Sequence, residues 1–231
     1  MHAKVVVDVI IPVLNEQNAV GQVIAEIPKN LIRQVIVVDN GSTDDTINVA
    51  RQAGAVVLEE SSKGYGSACL KGMDFVSEHE IAPDVVVFID GDHSDYPEQM
   101  TSLLDEIRNN GVQLVIGSRT LGIREAGSMT VPQLFGNWLA TFLLRMLYGV
   151  KFTDLGPFRA ITYPQLLQMD MQDKTYGWTV EMQAKAAKLN VKVSEVPVNY
   201  RNRIGVSKIS GTVKGTILAG YKIIHTIFKY W

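Results

Sequence analysis

Residues 89–98 read IDGDHSDYPE and follow the apolar run Val85–Phe88. Asp90, Asp92 and Asp95 fall close together, and carboxylates so placed resist ionising beside one another. The stretch therefore asks for a positive partner. A hard divalent cation, Mg2+ or Mn2+, takes oxygen ligands and bridges readily to phosphates. Asp90 and Asp92, separated only by Gly91, could share one. Alone, D-x-D also arises where aspartates serve turns. His93 reads as a loop residue, since imidazole suits softer metals.

Positioning these groups requires a scaffold, and hydrophobic periodicity supplies one. Runs at 5–13, 34–39, 55–59, 85–90 and 113–118 predict strands. They are almost continuously apolar, as in a parallel sheet buried on both faces. Helical stretches near 17–27, 43–53, 64–79 and 97–109 alternate with them. Ser42 as N-cap, with Asp44 and Asp45 in the first turn, would open the second helix. This order predicts an α/β fold with a mostly parallel, Rossmann-like sheet and helices on both faces. In such sheets ligands bind beyond the carboxyl ends of the strands. PVLNE (12–16), DNGSTDD (39–45) and DGDHSD (90–95) all lie at such ends and should converge on one rim.

Past residue 120 the pattern changes. A loop with Gly122, Gly127 and Pro132 leads to a helix at about 134–149, then a helix near 177–190 and a strand within 191–200. With no linker or repeat, this half should pack on the same sheet. Composition narrows the class further. The 231 residues are 46% hydrophobic, enough for a sizeable core, and the net charge of −2 gives no sign of a nucleic-acid partner. The single cysteine, Cys69, excludes an internal disulfide and fits a reducing compartment. No signal peptide is visible. The most apolar stretches, 134–150 and 215–231, are interrupted by polar residues and fall short of the ~20 apolar residues of a membrane span. From Arg201 onward the charged side chains are all basic, which invites an anionic partner.

Eight stretches in order carry a family resemblance: IIPVLNE, VVDNGSTDDT, KGYGSA, FIDGDHSDYPE, GSR, TDLGPFRAI, YGWTVEMQAKA and EVPVNYRNRIGVSKISGT. They span residues 10–212. The chain resembles family 2 glycosyltransferases of the GT-A fold, and among them the dolichyl-phosphate mannose and glucose synthases and their bacterial polyprenyl-phosphate relatives. The resemblance implies inverting, metal-dependent transfer of a hexose from a nucleotide sugar, UDP-glucose or GDP-mannose, to a polyprenyl phosphate. By matching position, Pro12, Glu16 and Asp39 would hold the nucleoside, with Lys63 nearby. Asp90 and Asp92 would hold Mg2+ or Mn2+ against the donor diphosphate. Helix capping and turn formation are the alternative for Glu16 and Asp39. Two departures stand out: Ser94 replaces a Gln common in the mannose synthases, and PQLFGNW lacks their basic residue, for which Arg124 could substitute. Within a single domain, 1–120 would be the nucleotide-sugar half, 121–212 the acceptor half and 213–231 an amphipathic C-terminal helix.

The acceptor decides whether a base is needed. A hydroxyl requires one, whereas a phosphate monoester, with its second pKa near 6, does not. Asp154 is the first candidate base and Glu181 the next; an ion pair, for example with Arg159, would explain Asp154 without catalysis. Arg119, Arg159, Arg201, Arg203 and Lys208 offer cations for a phosphate, and Arg suits bidentate phosphate contacts. Arg203 and Lys208 flank IGVS, which reads as a cover over the donor; a solvated basic surface is the alternative, for Arg201 in particular. On a helical wheel Ile217, Tyr221, Ile224, Phe228 and Trp231 cluster, with Lys222, Thr226 and Lys229 opposite. That face suits a lipid interface, the protein core or a second subunit. Peripheral contact with the cytoplasmic face of a membrane follows from the lipid alternative. Competing readings are a soluble or protein hydroxyl acceptor, a sugar-phosphate nucleotidyltransferase and a non-catalytic nucleotide-sugar binder.

Overall fold

The structure, a computed structural model, describes residues 5–205 and 213–231. The predicted strands form β1 (Val7–Val13), β2 (Gln34–Asp39), β3 (Val56–Glu59), β4 (Val85–Phe88) and β5 (Leu114–Ser118). Between them lie α1 (Val20–Glu26), α2 (Thr46–Gln52), α3 (Tyr65–Ser77) and α4 (Met100–Asn110). Then follow α5 (Val131–Tyr148), β6 (Arg159–Thr162), α6 (Tyr163–Met169), α7 (Trp178–Lys188), β7 (Val193–Pro197) and α8 (Val213–Lys229).

One sheet runs in the order β3-β2-β1-β4-β6-β5-β7. β1 pairs in parallel with β2 and β4, β2 with β3, and β5 with β7. β6, which periodicity did not reveal, lies antiparallel between β4 and β5. Its sequence RAIT opens on a charged residue and has neither the unbroken apolar run of β4 nor a regular alternation. The later half thus contributes β6 to the middle of the sheet and β7 to its edge. β1, β4 and β5 are buried throughout, as their unbroken apolar runs require. β3 is the opposite edge and leaves Val56 exposed.

Helices cover both faces. α1, α2 and α4 pack with Ile11, Val37 and Val87 in one apolar cluster; α3, α5 and α7 pack with Ile10, Phe88 and Ile116 in the other. α5 opens with a capping box, in which the Thr130 hydroxyl receives the Gln133 N–H and Gln133 reaches back to the N–H of Thr130. The predicted cap of α2 differs. Ser42 accepts the Asn15 N–H at 2.8 Å, in the neighbouring loop, and the helix starts only at Thr46. Asp44 bends back on Thr46 instead of entering the first turn.

Candidate active site

The loops after β1, β2 and β4 meet at one rim. The first two are zipped together. Asn15, at φ 53°, accepts the Thr43 N–H at 2.7 Å, and Glu16 N–H donates to Thr46 Oγ1 at 2.8 Å. Asp39 Oδ2 accepts the N–H groups of Gly41 and Ser42 at 3.0 and 2.9 Å, while its Oδ1 is buried without a partner among the described residues.

A cavity of about 260 Å3 opens over these loops, walled by Pro12, Glu16, Lys63, Asp90, Asp92 and Arg203 among others. Asp39 does not border it; its neighbour Asn40 does. Asn40 donates to the carbonyls of Glu60 and Ser62 and accepts the Gly64 N–H at 2.6 Å, tying β2 to the KGYG loop. That loop rests on residues 173–175. The Ser67 N–H donates to Lys174 O at 3.0 Å, and a Cβ on Gly66 would fall inside the Asp173 carbonyl. Only glycine admits so close a backbone approach.

Asp90 and Asp92 both line the cavity, Asp92 buried and Asp90 half-buried. Ser94 fixes Asp92 by giving both its N–H, at 3.0 Å, and its hydroxyl to Oδ1. The other oxygen faces Arg203 Nη1 at 3.1 Å, and Arg203 Nη2 also meets Glu16 Oε1 at 2.7 Å. Asp90 Oδ1 is sealed from solvent with no hydrogen-bond partner among the described residues. Burial, and then the charge of Asp92, push the Asp90 carboxyl up to about 7. An orphaned carboxylate oxygen and a guanidinium already drawn to its neighbour mark a place for positive charge. Among the described residues no group of three or more His, Cys, Asp or Glu forms a complete metal cage. A pair of carboxylates is what Mg2+ or Mn2+ uses when substrate phosphates and water supply the rest. The residues fit that ion.

A second cavity of about 290 Å3 shares Asp90, Asp92 and Arg203 with the first. Its floor adds Arg119 and Tyr200; its walls come from Pro132, Gln133 and Gly136 of the α5 segment and Ala219, Gly220 and Ile223 of α8. Arg119 lies 5.0 Å over the Tyr200 ring and pairs with Asp154. Burial alone would lower the Arg119 pKa; the charge of Asp154 and its hydrogen bonds raise it instead.

Several expectations change. Asp154 is buried against Arg119, not Arg159. Arg159 is buried too, donating to the carbonyls of Leu155, Gly156 and Thr179. It borders neither cavity, so it holds the loop before β6 in place of a phosphate. Burial, opposed by nearby Tyr65 and Asp154, lowers its pKa to about 10. Glu181 is inside α7, receiving the N–H groups of Gln172 and Asp173, the Tyr230 hydroxyl and Lys185. No base function is open to it there. Arg124 is exposed beside Met129. Lys208 lies outside the described residues. Arg201, read as a phosphate cation or else a solvated basic residue, is largely buried, paired with Glu26 and borders neither cavity. Asn40, Tyr176 and Tyr200 line the cavities unannounced; the only signal was their place inside the quoted stretches.

α8 also turns the other way. Thr226 is buried and Lys222 meets Asp173 at 2.9 Å, so two of the three residues expected on the polar face turn toward the body of the protein, while Lys229 stays exposed. Ile217, Tyr221, Phe228 and Trp231 remain 52–67% exposed. On α5, Phe135, Trp138, Phe142 and Met146 form a second exposed stripe, with Trp138 stacked on Phe142 at 5.8 Å. No helix among the described residues is long and apolar enough to cross a membrane.

Comparison with known proteins agrees with this architecture. A glucosyl-3-phosphoglycerate synthase from Mycobacterium tuberculosis, solved with Mn2+, UDP-glucose and phosphoglyceric acid, superposes with a TM-score of 0.77 at 23% identity, over 97% of this chain and 79% of that one. An undecaprenyl-phosphate mannosyltransferase of Micrococcus luteus is 30% identical over 221 residues, covering 89% of this chain and 88% of its own length. A dolichyl-phosphate hexose transferase of Haloferax volcanii is 32% identical over 216 residues, covering 91% and 89%. The family model described as glycosyl transferase family 2 matches residues 8–165. Sequence, sheet and rim therefore agree: the chain belongs to glycosyl transferase family 2, is a glycosyltransferase and has the GT-A fold.

Proposed function

We propose that the protein transfers a hexose from a nucleoside diphosphate sugar to a polyprenyl phosphate at a membrane surface. The observation that carries this reading is the second cavity, whose lining combines the cations Arg119 and Arg203 with apolar Met129, Pro132, Leu155 and Ile223. A phosphate set against Arg119 and Arg203 would send its chain out between α5 and α8, beside their exposed apolar stripes. Contact with anionic lipid through those stripes is peripheral, in keeping with helices lying in the interface. The names of the Micrococcus and Haloferax relatives support the same acceptor class.

In this reading the first cavity takes the donor. Pro12, Glu16 and Asn40 border the nucleoside, Asp39 shapes the turn beneath it, and Lys63 stands at the open side. Asp90 and Asp92 would hold Mg2+ or Mn2+, which when bound neutralises charge on the departing diphosphate. Arg203, joined to both Glu16 and Asp92, moves from these carboxylates to the phosphates as they enter. Arg119 and Tyr200 aim the acceptor phosphate. One of its oxygens bonds to the anomeric carbon from the face opposite the diphosphate, the carbon–oxygen bond to the diphosphate breaks, and nucleoside diphosphate departs. The attacking oxygen is already ionised, so no side chain need take a proton. Asp154 then serves Arg119 rather than acting as base.

A second reading keeps the donor but uses a small phosphorylated acceptor. It rests on the mycobacterial synthase crystallised with phosphoglyceric acid; the same cations would suit that anion. Purified protein, Mn2+ or Mg2+, a panel of UDP- and GDP-sugars, and either a short polyprenyl phosphate or phosphoglyceric acid separate the two. An organic-extractable sugar product that disappears in Asp92→Ala is expected. Sugar transfer to phosphoglyceric acid alone would select the second reading.

A further inference from the structure

The loop carrying Asp92 is held from outside the cavities. His93 sits at φ 64°, a left-handed conformation that L residues adopt reluctantly. Surrounding bonds must therefore impose the turn. A single guanidinium supplies two of them. Arg201 Nε donates to His93 O at 2.7 Å, and its Nη2 donates to Asp95 O at 3.1 Å. The plane stacks over the Tyr96 ring at 4.3 Å. Its backbone N–H donates to Ser94 O at 2.9 Å, and Ile204 N–H donates to Asp92 O at 3.0 Å. Glu26, the last residue of α1, completes the arrangement. One carboxylate oxygen takes Arg201 Nη2 and the other meets His93 Nε2 at 2.8 Å.

We infer that Arg201 and Glu26 are positioning residues for the divalent metal, fixing Asp92 through the His93–Asp95 backbone without touching ion or donor. The inference rests on the reading of Asp90 and Asp92 as metal ligands. Neither Arg201 nor Glu26 borders a cavity. Their effect passes through the loop and through Ser94, whose N–H and hydroxyl set the Asp92 carboxylate. Lysine at 201 would keep the charge but could not span both carbonyls with one planar group. Residues that orient ligands in this way commonly alter metal affinity by about 10- to 100-fold.

The test is direct Mn2+ binding, read by loss of the free-ion electron paramagnetic resonance signal, to the full chain with UDP and separately with GDP. Arg201→Lys and Glu26→Gln should each weaken Mn2+ binding about tenfold or more. Their affinity for the same nucleotide in chelator should stay within about twofold of the parent. Arg33→Lys, which disturbs the remote Arg33–Asp8 pair, should lower thermal stability and leave Mn2+ affinity alone. Should Arg201→Lys fail to fold, the half-exposed Glu26→Gln still decides the matter. Folded variants with parental Mn2+ affinity would overturn the inference while leaving the metal site standing. Absence of nucleotide-supported Mn2+ binding in the parent would overturn the metal reading itself, and this inference with it.

Discussion

Arg119 and Asp154 meet through two side-chain bonds, Nε to Oδ2 at 2.8 Å and Nη2 to Oδ1 at 2.7 Å, and the Arg119 N–H adds a third to Oδ2 at 2.7 Å. Both carboxylate oxygens are thereby committed. Asp154→Asn would leave a buried guanidinium without its counter-charge, which typically costs about 3–5 kcal/mol. Urea unfolding should show that loss, and acceptor turnover should fall with it. A variant as stable as the parent but inactive would instead point to proton abstraction by Asp154.

Arg119→Lys separates floor from donor cavity. The ammonium retains charge but loses the fork that grips Asp154 and stacks on Tyr200. Steady-state kinetics should show the acceptor KM raised about tenfold, as for loss of one charged hydrogen bond, with donor KM within about twofold. Equal changes in both would contradict the division between the two cavities.

Glu26 makes a pH-dependent contribution. Burial raises its pKa, but the hydrogen bonds from Arg201 and His93 outweigh that and bring it below the usual 4.5. The sign follows: its ionised form stabilises the fold above about 4.5, and the contribution fades as pH falls through the lowered value. Glu26→Gln should lower Tm by about 1–3 °C at neutral pH. Well below pH 4, parent and variant should melt together. A gap persisting there would mean that the variant disturbs packing.

Tyr221→Asp and Phe228→Asp test the exposed arc of α8. Both side chains face outward, so stability should change by no more than about 0.5 kcal/mol. Co-sedimentation with anionic vesicles should fall about tenfold, because each change removes apolar contact and adds repulsion. Unaltered sedimentation would exclude this face as the lipid contact.

Much of the rim was legible before the fold was known. Asp90, Asp92, Pro12 and Glu16 sit beside strand ends, and a strand end fixes a side chain to within a residue or two. What escaped depends on distance rather than on order. Arg159 and Arg119 both follow apolar stretches, yet one lies inside β6 and the other just past the end of β5. β6 itself, RAIT, opens on a charged residue and lacks the unbroken apolar run that revealed the equally short β4. The outward face of α8 was equally hidden, because a helical wheel separates two faces without saying which one finds the core. The buried hydroxyl of Thr226 and the Lys222–Asp173 pair settled that choice.

The strand order also bears on how the chain assembles during synthesis. β4 and β5 are complete once residue 118 has been made, but β6, ending at Thr162, is the strand that joins them. Until it emerges from the ribosome, two apolar strands hold unpaired edges facing one another. Such edges invite mispairing with other chains. A fragment ending near residue 120 would keep them open permanently, whereas a chain reaching β7 can close the sheet. Soluble expression should therefore rise abruptly once truncations include β6 and β7, although the carboxylates of the rim are all encoded much earlier.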